Sequence, residues 1–193
     1  MLVNDSRFKQ LFAAALARLV LPTSASVSSY HNTSCPTSAL APRVNLDNGL
    51  TVQGLINQST PNVAEFLGIP YAKPPVGDLR WAPPQAYLPL NGTVINATSI
   101  GPSCYQYSTN NPTFLTAELP DFVVGSAANA GFSEDCLTMS VYAPAKSANS
   151  RGKLPVVIWF YGGGFATGGE DVKYQIPTNW IERSQEHIVV TFK

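Results

Sequence analysis

The residues best suited to chemistry lie together in Trp159-Phe160-Tyr161-Gly162-Gly163-Gly164-Phe165. Consecutive glycines after an apolar run let backbone N–H groups converge on one point, because no Cβ blocks the approach. Fixed donors of that kind stabilise the negative oxygen that develops during acyl transfer. A plain tight turn would use the same glycines. A phosphate-binding loop fits less well: Gly162 to Thr167 gives G-x-G-x-x-G in no register, and no Lys-Ser/Thr pair follows.

An attacking group to match these donors is missing. The strained turn G-x-S-x-G that presents a nucleophilic serine does not occur. Ser103 and Ser133 each follow a glycine by two residues, but neither has the closing glycine. His31 sits in a Ser/Thr-rich leader, and His187 borders the last apolar run, where it reads as a strand-edge residue rather than a general base. Cys104 and Cys136 have no nearby candidate base and read poorly as nucleophiles. With Cys35 they make three cysteines, so one is left over and three pairings are open. Nothing in the sequence calls for a cofactor or a metal.

The elements that must position the glycines are legible. Leu154 to Tyr161 predicts a strand, its residues Val156 to Phe160 continuous and apolar as expected for one buried on both faces within an α/β sheet. His187 to Phe192 predicts a second buried strand, and Asn179 to Glu186 a short helix between the two. Cys136 to Tyr142 and Val63 to Ile69 read as further strands. Apolar stretches flank Asn48-Gly49, which predicts a hairpin whose turn residues both take positive φ. Pro70 to Pro84 holds five prolines and must be irregular. Residues 101 to 133 show little pattern, and so long a loop suggests a binding or covering role. The chain stops at Lys193, one residue beyond a buried-type strand. We therefore expect an incomplete sheet with an uncovered apolar edge.

Composition narrows the class. Twelve Lys and Arg balance twelve Asp and Glu, which argues against a nucleic-acid binder. Charged residues make up 12%, against roughly 25% in ordinary chains, while 45% are hydrophobic, so the chain can build a core. Residues 1–25 carry a basic lead, an apolar stretch and a small-residue end, and read as a secretory signal. That stretch is too short and broken for a transmembrane span. Residues 26–42 read as a flexible leader and 43–193 as the folded part. Four N-x-S/T acceptors, at Asn32, Asn57, Asn91 and Asn96, fit a secreted, glycosylated protein.

Three blocks then give a specific resemblance: Phe66 to Trp81 (FLGIPYAKPPVGDLRW), Ser133 to Pro144 (SEDCLTMSVYAP), and Pro155 to Gly169 with its Tyr-Gly-Gly-Gly-Phe core. In order and spacing they resemble the type-B carboxylesterase and cholinesterase family over about residues 43 to 193. Met139 stands where a smaller aliphatic or Thr is more usual. The resemblance implies the N-terminal part of an α/β-hydrolase fold, with antiparallel first strands leading into a mostly parallel sheet. It implies ester hydrolysis by a Ser-His-Glu/Asp triad, with Gly163 and Gly164 as oxyanion donors and the triad outside this chain. It pairs Cys104 with Cys136, leaving Cys35 over, and a bridge closing about 30 residues stabilises by roughly 3–4 kcal/mol. It also implies a structural ion pair between Arg80 and Glu134. A choline site would need a Trp between Cys104 and Cys136. That loop offers Tyr105, Tyr107, Phe114, Phe122 and Phe132 instead, so a general esterase or lipase acting on small-molecule or lipid esters is the better expectation. Two other readings remain: a non-catalytic binding or adhesion relative, and an inactive truncated product.

Overall fold

The computed structural model describes residues 41–107, 113–124, 131–146 and 153–193. The leader, Asn32, Cys35 and the signal-like segment lie outside them. Among the described residues, seven strands form two open sheets. The smaller has the order β1 (Arg43–Asn45), β2 (Thr51–Gln53), β4 (Val94–Asn96), and the larger has β3 (Val63–Pro70), β5 (Thr138–Pro144), β7 (Ile188–Phe192), β6 (Val156–Trp159). Two short helices, α1 (Phe114–Glu118) and α2 (Thr178–Ser184), complete the regular structure among the described residues, with three single turns of 3-10 helix.

Strand β3 sets the architecture because both of its faces are buried. Successive side chains alternate across a strand. Ala64 and Phe66, with Ile69 brought to the same face by a register shift after Phe66, join Leu50, Val52 and Ala97 in and beside the small sheet in one core. Val63 and Leu67 face the other way, onto Tyr142, Val189 and Ile181 of α2. Ile181 is fully buried and anchors the helix, a contribution of about 1.5–3 kcal/mol. Polar ties fix its orientation. Glu182 accepts from Asn62 through the backbone N–H at 3.0 Å and Nδ2 at 2.7 Å, and Thr178 Oγ1 donates to Glu65 at 2.6 Å. Gln185 ends the helix in the left-handed conformation, its N–H donating to the Ile181 carbonyl.

The hairpin is present, with β1 antiparallel to β2, but its turn differs from expectation. Gly49 alone has positive φ, at 77°, and its N–H donates to the Leu46 carbonyl at 3.0 Å. This is a three-residue connection, a turn followed by a left-handed residue. Asn48 serves instead through its side chain, whose Oδ1 accepts from Leu50 N–H.

In the larger sheet, strand β6 is not buried on both faces as its apolar run predicts. It lies at the sheet edge with Ile158 41% and Trp159 44% exposed, the uncovered apolar edge expected of an incomplete sheet. Its inner edge pairs with β7, and its outer edge meets no strand among the described residues. β7 takes the central place and is buried from Ile188 to Thr191. Of the three pairings in this sheet only β6 with β7 is parallel, while β3–β5 and β5–β7 are antiparallel.

Candidate functional site

The parallel pairing of β6 and β7 decides where the glycines fall. Trp159 pairs with Thr191, so the segment after β6 and the residues after Thr191 emerge at one end of the sheet. Carboxyl ends of parallel strands are the usual binding edge of open α/β sheets. His187 precedes β7 and therefore sits at the opposite end. It is buried, its ring centroid 4.2 Å from that of Trp180 at a tilt of 50°, with Nδ1 3.1 Å from Ser184 Oγ.

From Gly162 to Thr167 the chain is exposed and folded back on itself. The Gly163 carbonyl accepts from both Ala166 N–H and Thr167 N–H at 3.1 Å. A Cβ on Gly163 would lie 1.8 Å from the Thr167 carbonyl oxygen, and its φ is 147°, so only glycine fits. Phe165 has φ 60° with its side chain fully exposed. Such a conformation costs a non-glycine residue about 1–3 kcal/mol and clusters at functional sites. The N–H groups of Gly163 and Gly164 donate to no acceptor among the described residues.

Gln106 holds the far side of this loop. Its Oε1 accepts from Gly168 N–H at 2.8 Å, and its Nε2 donates to the Gly168 carbonyl at 3.1 Å and to the Cys104 carbonyl at 3.3 Å. Cys104 is disulfide-bonded to Cys136, with Cα atoms 5.1 Å apart.

Behind the loop lies a buried charged cluster that the sequence did not suggest. Lys193 Nζ is 3.4 Å from Asp171 Oδ2, with the two side chains 1% and 2% exposed. The ammonium also donates to the Gly101 carbonyl at 2.6 Å. Ser103 Oγ donates to the same Asp171 oxygen, and Tyr71 OH to the Lys193 carbonyl. Glu170 is buried beside them and accepts from Thr191 Oγ1 at 2.7 Å. Ser103 thus has a structural hydrogen-bonding part. Burial pushes the Glu170 carboxyl up to about 7, against the partial relief of the Thr191 hydroxyl and the Lys193 charge. Burial also lowers the Lys193 ammonium below its ordinary value, opposed by the nearby Asp171 and Glu170.

The Glu170 shift has a testable consequence. The folded state holds this proton above pH 4.5, where the unfolded chain has released it. Its contribution to stability is therefore complete below that value and is lost as pH rises to about 7, a change of about 3 kcal/mol. Glu170→Gln is expected to remove this fall and raise stability at pH 8, read from urea midpoints across the pH range. A variant with the parent's pH dependence would contradict it.

The remaining sites predicted from sequence are spread out. Arg80 Nη2 is 3.2 Å from Glu134 Oε1, but the side chains are 56% and 35% exposed, and such a pair contributes at most about 1 kcal/mol. Asn57, Asn91 and Asn96 are exposed. Tyr105, Tyr107, Phe114, Phe122 and Phe132 are exposed as well, with Tyr105 stacked on Phe132 and Phe122 on Tyr174. An open cleft of about 1410 Å³ runs over the sheet face past Tyr142, Val157, Trp159, Trp180 and Val189, and none of Gly162–Gly169 lines it.

A family model, that of the Carboxylesterase family, matches residues 41–193. The chain belongs to the carboxylesterase family. Chlorogenic acid esterase of Aspergillus niger is 43% identical over 141 residues, covering 72% of this chain and 26% of that protein. Secreted lipase 5 of Gibberella zeae is 40% identical over 146 residues, covering 69% and 26% respectively. Liver carboxylesterase of Sus scrofa is 45% identical over 108 residues, covering 55% and 18%. This carboxylesterase-family chain thus spans about a quarter of the length of the Aspergillus niger and Gibberella zeae proteins. Among its described residues no helix is long and apolar enough to cross a membrane.

Proposed function

We propose that residues 43–193 are the N-terminal part of an α/β-hydrolase domain, and that they supply the oxyanion side of a carboxylic ester hydrolase. Gly163 and Gly164 donate their N–H groups to the tetrahedral oxyanion. The serine, acid and histidine come from sequence outside this chain. The observation that carries this reading is the glycine loop at the carboxyl end of β6, with both N–H groups open among the described residues. Preorganised donors of this kind are worth about 3–4 kcal/mol each in acyl transfer. The substrates are small-molecule or lipid esters, in keeping with relatives named for chlorogenic acid esterase and lipase activity. The Cys104–Cys136 bridge, three exposed N-x-S/T asparagines and a relative named a secreted lipase support an extracellular protein cleared of residues 1–25.

The test expresses the chain together with its downstream coding sequence in a secreting eukaryotic host. The product is expected in the medium, to lose mass on peptide-N-glycosidase treatment, to hydrolyse p-nitrophenyl esters and to take up one fluorophosphonate per molecule. The 193-residue chain alone should do neither of the last two. Labelling of the short chain, or a longer product that is folded but inert to ester and probe, overturns the assignment.

A further inference from the structure

We propose that Gln106 is a positioning residue for the oxyanion donors, a strut that transmits the rigidity of the disulfide-anchored segment to the glycine loop. The inference rests on the reading of Gly163 and Gly164 as donors.

A primary amide carries a donor and an acceptor at one end, so it can satisfy the N–H and the C=O of a single residue at once. Gln106 does this to Gly168, accepting at 2.8 Å and donating at 3.1 Å. Its remaining amide hydrogen reaches the Cys104 carbonyl at 3.3 Å. Gly168 is the neck of the loop: a Cβ there would lie 2.4 Å from the Gly162 carbonyl oxygen and 2.5 Å from the Tyr161 ring. With the two backbones in contact, whatever fixes Gly168 also fixes Gly162, and Gly163 is the next residue. A second tie runs alongside, from Tyr107 N–H to the Ala166 carbonyl at 3.4 Å. The strut's other end is firm, because Cys104 is bonded to Cys136, which leads directly into β5. The loop itself is exposed and carries a strained Phe165. Its donors therefore depend on outside support to hold one orientation.

The test uses the complete enzyme, chain plus downstream sequence. Gln106→Met keeps the length and removes both hydrogen-bonding functions. Gln106→Glu keeps the acceptor for Gly168 N–H but sets a carboxylate against the carbonyls of Gly168 and Cys104. Both are expected to lower kcat about 10- to 100-fold, the effect of small misplacements in an active site, with KM changed less than about twofold. Affinity for a trifluoromethyl ketone, which mimics the oxyanion, should fall in parallel. Protonation gives Glu a hydroxyl donor and makes it a near copy of Gln. The variant-to-parent ratio of kcat/KM for Gln106→Glu should therefore recover about tenfold between pH 8 and pH 5, a readout that a merely structural role would not move. If Gln106→Met does not fold, that ratio decides alone. Folded variants with parental kcat and ketone affinity, or a ratio flat in pH, overturn the inference. Loss of activity in Gly163→Ala with no effect at Gln106 would reject the strut alone. No effect at Gly163 would reject the donor reading beneath it.

Discussion

Replacing Lys193 with methionine is expected to lower the free energy of unfolding by about 3–5 kcal/mol at neutral pH, the cost of removing one partner from a buried ion pair. The side chains of Lys193 and Asp171 are 1% and 2% exposed, so water cannot take the place of the lost ammonium. Asp171 would keep only the Ser103 hydroxyl, and Glu170, buried next to it, would lose the one cation that partly offsets its desolvation. The Glu170 carboxyl should then favour the protonated form more strongly than it does beside Lys193. The variant should consequently regain stability as pH falls, because the folded state would bind more protons than the unfolded chain. The decisive measurement is a double-mutant cycle with Asp171→Asn, read by urea denaturation. Removing both charges should cost less than either single change, since replacing a buried pair outright is often near neutral. Additive losses would mean that the two groups do not act as a pair.

What the sequence conveyed, and what it withheld, follows from how each feature is encoded. Strands β3, β5 and β7 and helix α2 announce themselves through local patterns of apolar residues, and their bounds moved by only a few residues. The edge position of β6 is different in kind. Leu154 to Tyr161 reads as a central strand, and only the sheet order shows that the outer edge of β6 meets no strand among the described residues. The turn at Asp47–Gly49 carries the dipeptide of a two-residue hairpin, yet the hydrogen bond from Gly49 back to Leu46 makes it one residue longer. The glycine loop was visible because three successive glycines serve no helix or strand. Gln106 was not, since its task is to bond a backbone 62 residues away, and a lone glutamine has no local signature. Glu170, Asp171 and Lys193 were missed for a related reason. Such residues are almost never fully buried unless paired, and the pairing spans 22 residues of sequence. The one hint was two adjacent acids after Gly168-Gly169, in a chain with only 12% charged residues.

The glycine loop carries the second large expected effect. Gly163→Ala in the complete enzyme should reduce kcat by about 10²- to 10³-fold with little change in KM, the loss seen when one oxyanion donor is withdrawn. The reason is local and steric. The added methyl would lie 1.8 Å from the Thr167 carbonyl oxygen and 2.6 Å from its carbon, and backbone cannot yield as a flexible side chain can. The φ and ψ of residue 163 must change to relieve the clash, breaking the paired bonds from Ala166 and Thr167 to its carbonyl and reorienting the two peptide units that flank it, which carry the N–H groups of residues 163 and 164. Gly164 provides the internal comparison. Its φ of 60° is left-handed, but a Cβ there meets nothing within 4 Å, so alanine costs only about 1–2 kcal/mol of backbone strain and leaves the donor in place. Gly164→Ala should therefore retain most of its kcat while Gly163→Ala does not, although both are glycines of one triplet. Ketone affinity should follow the same order, because it reports the donors without the chemistry of the leaving group. If the two substitutions proved equally harmless, the loop would be a tight turn, and the oxyanion would have to be stabilised by other groups.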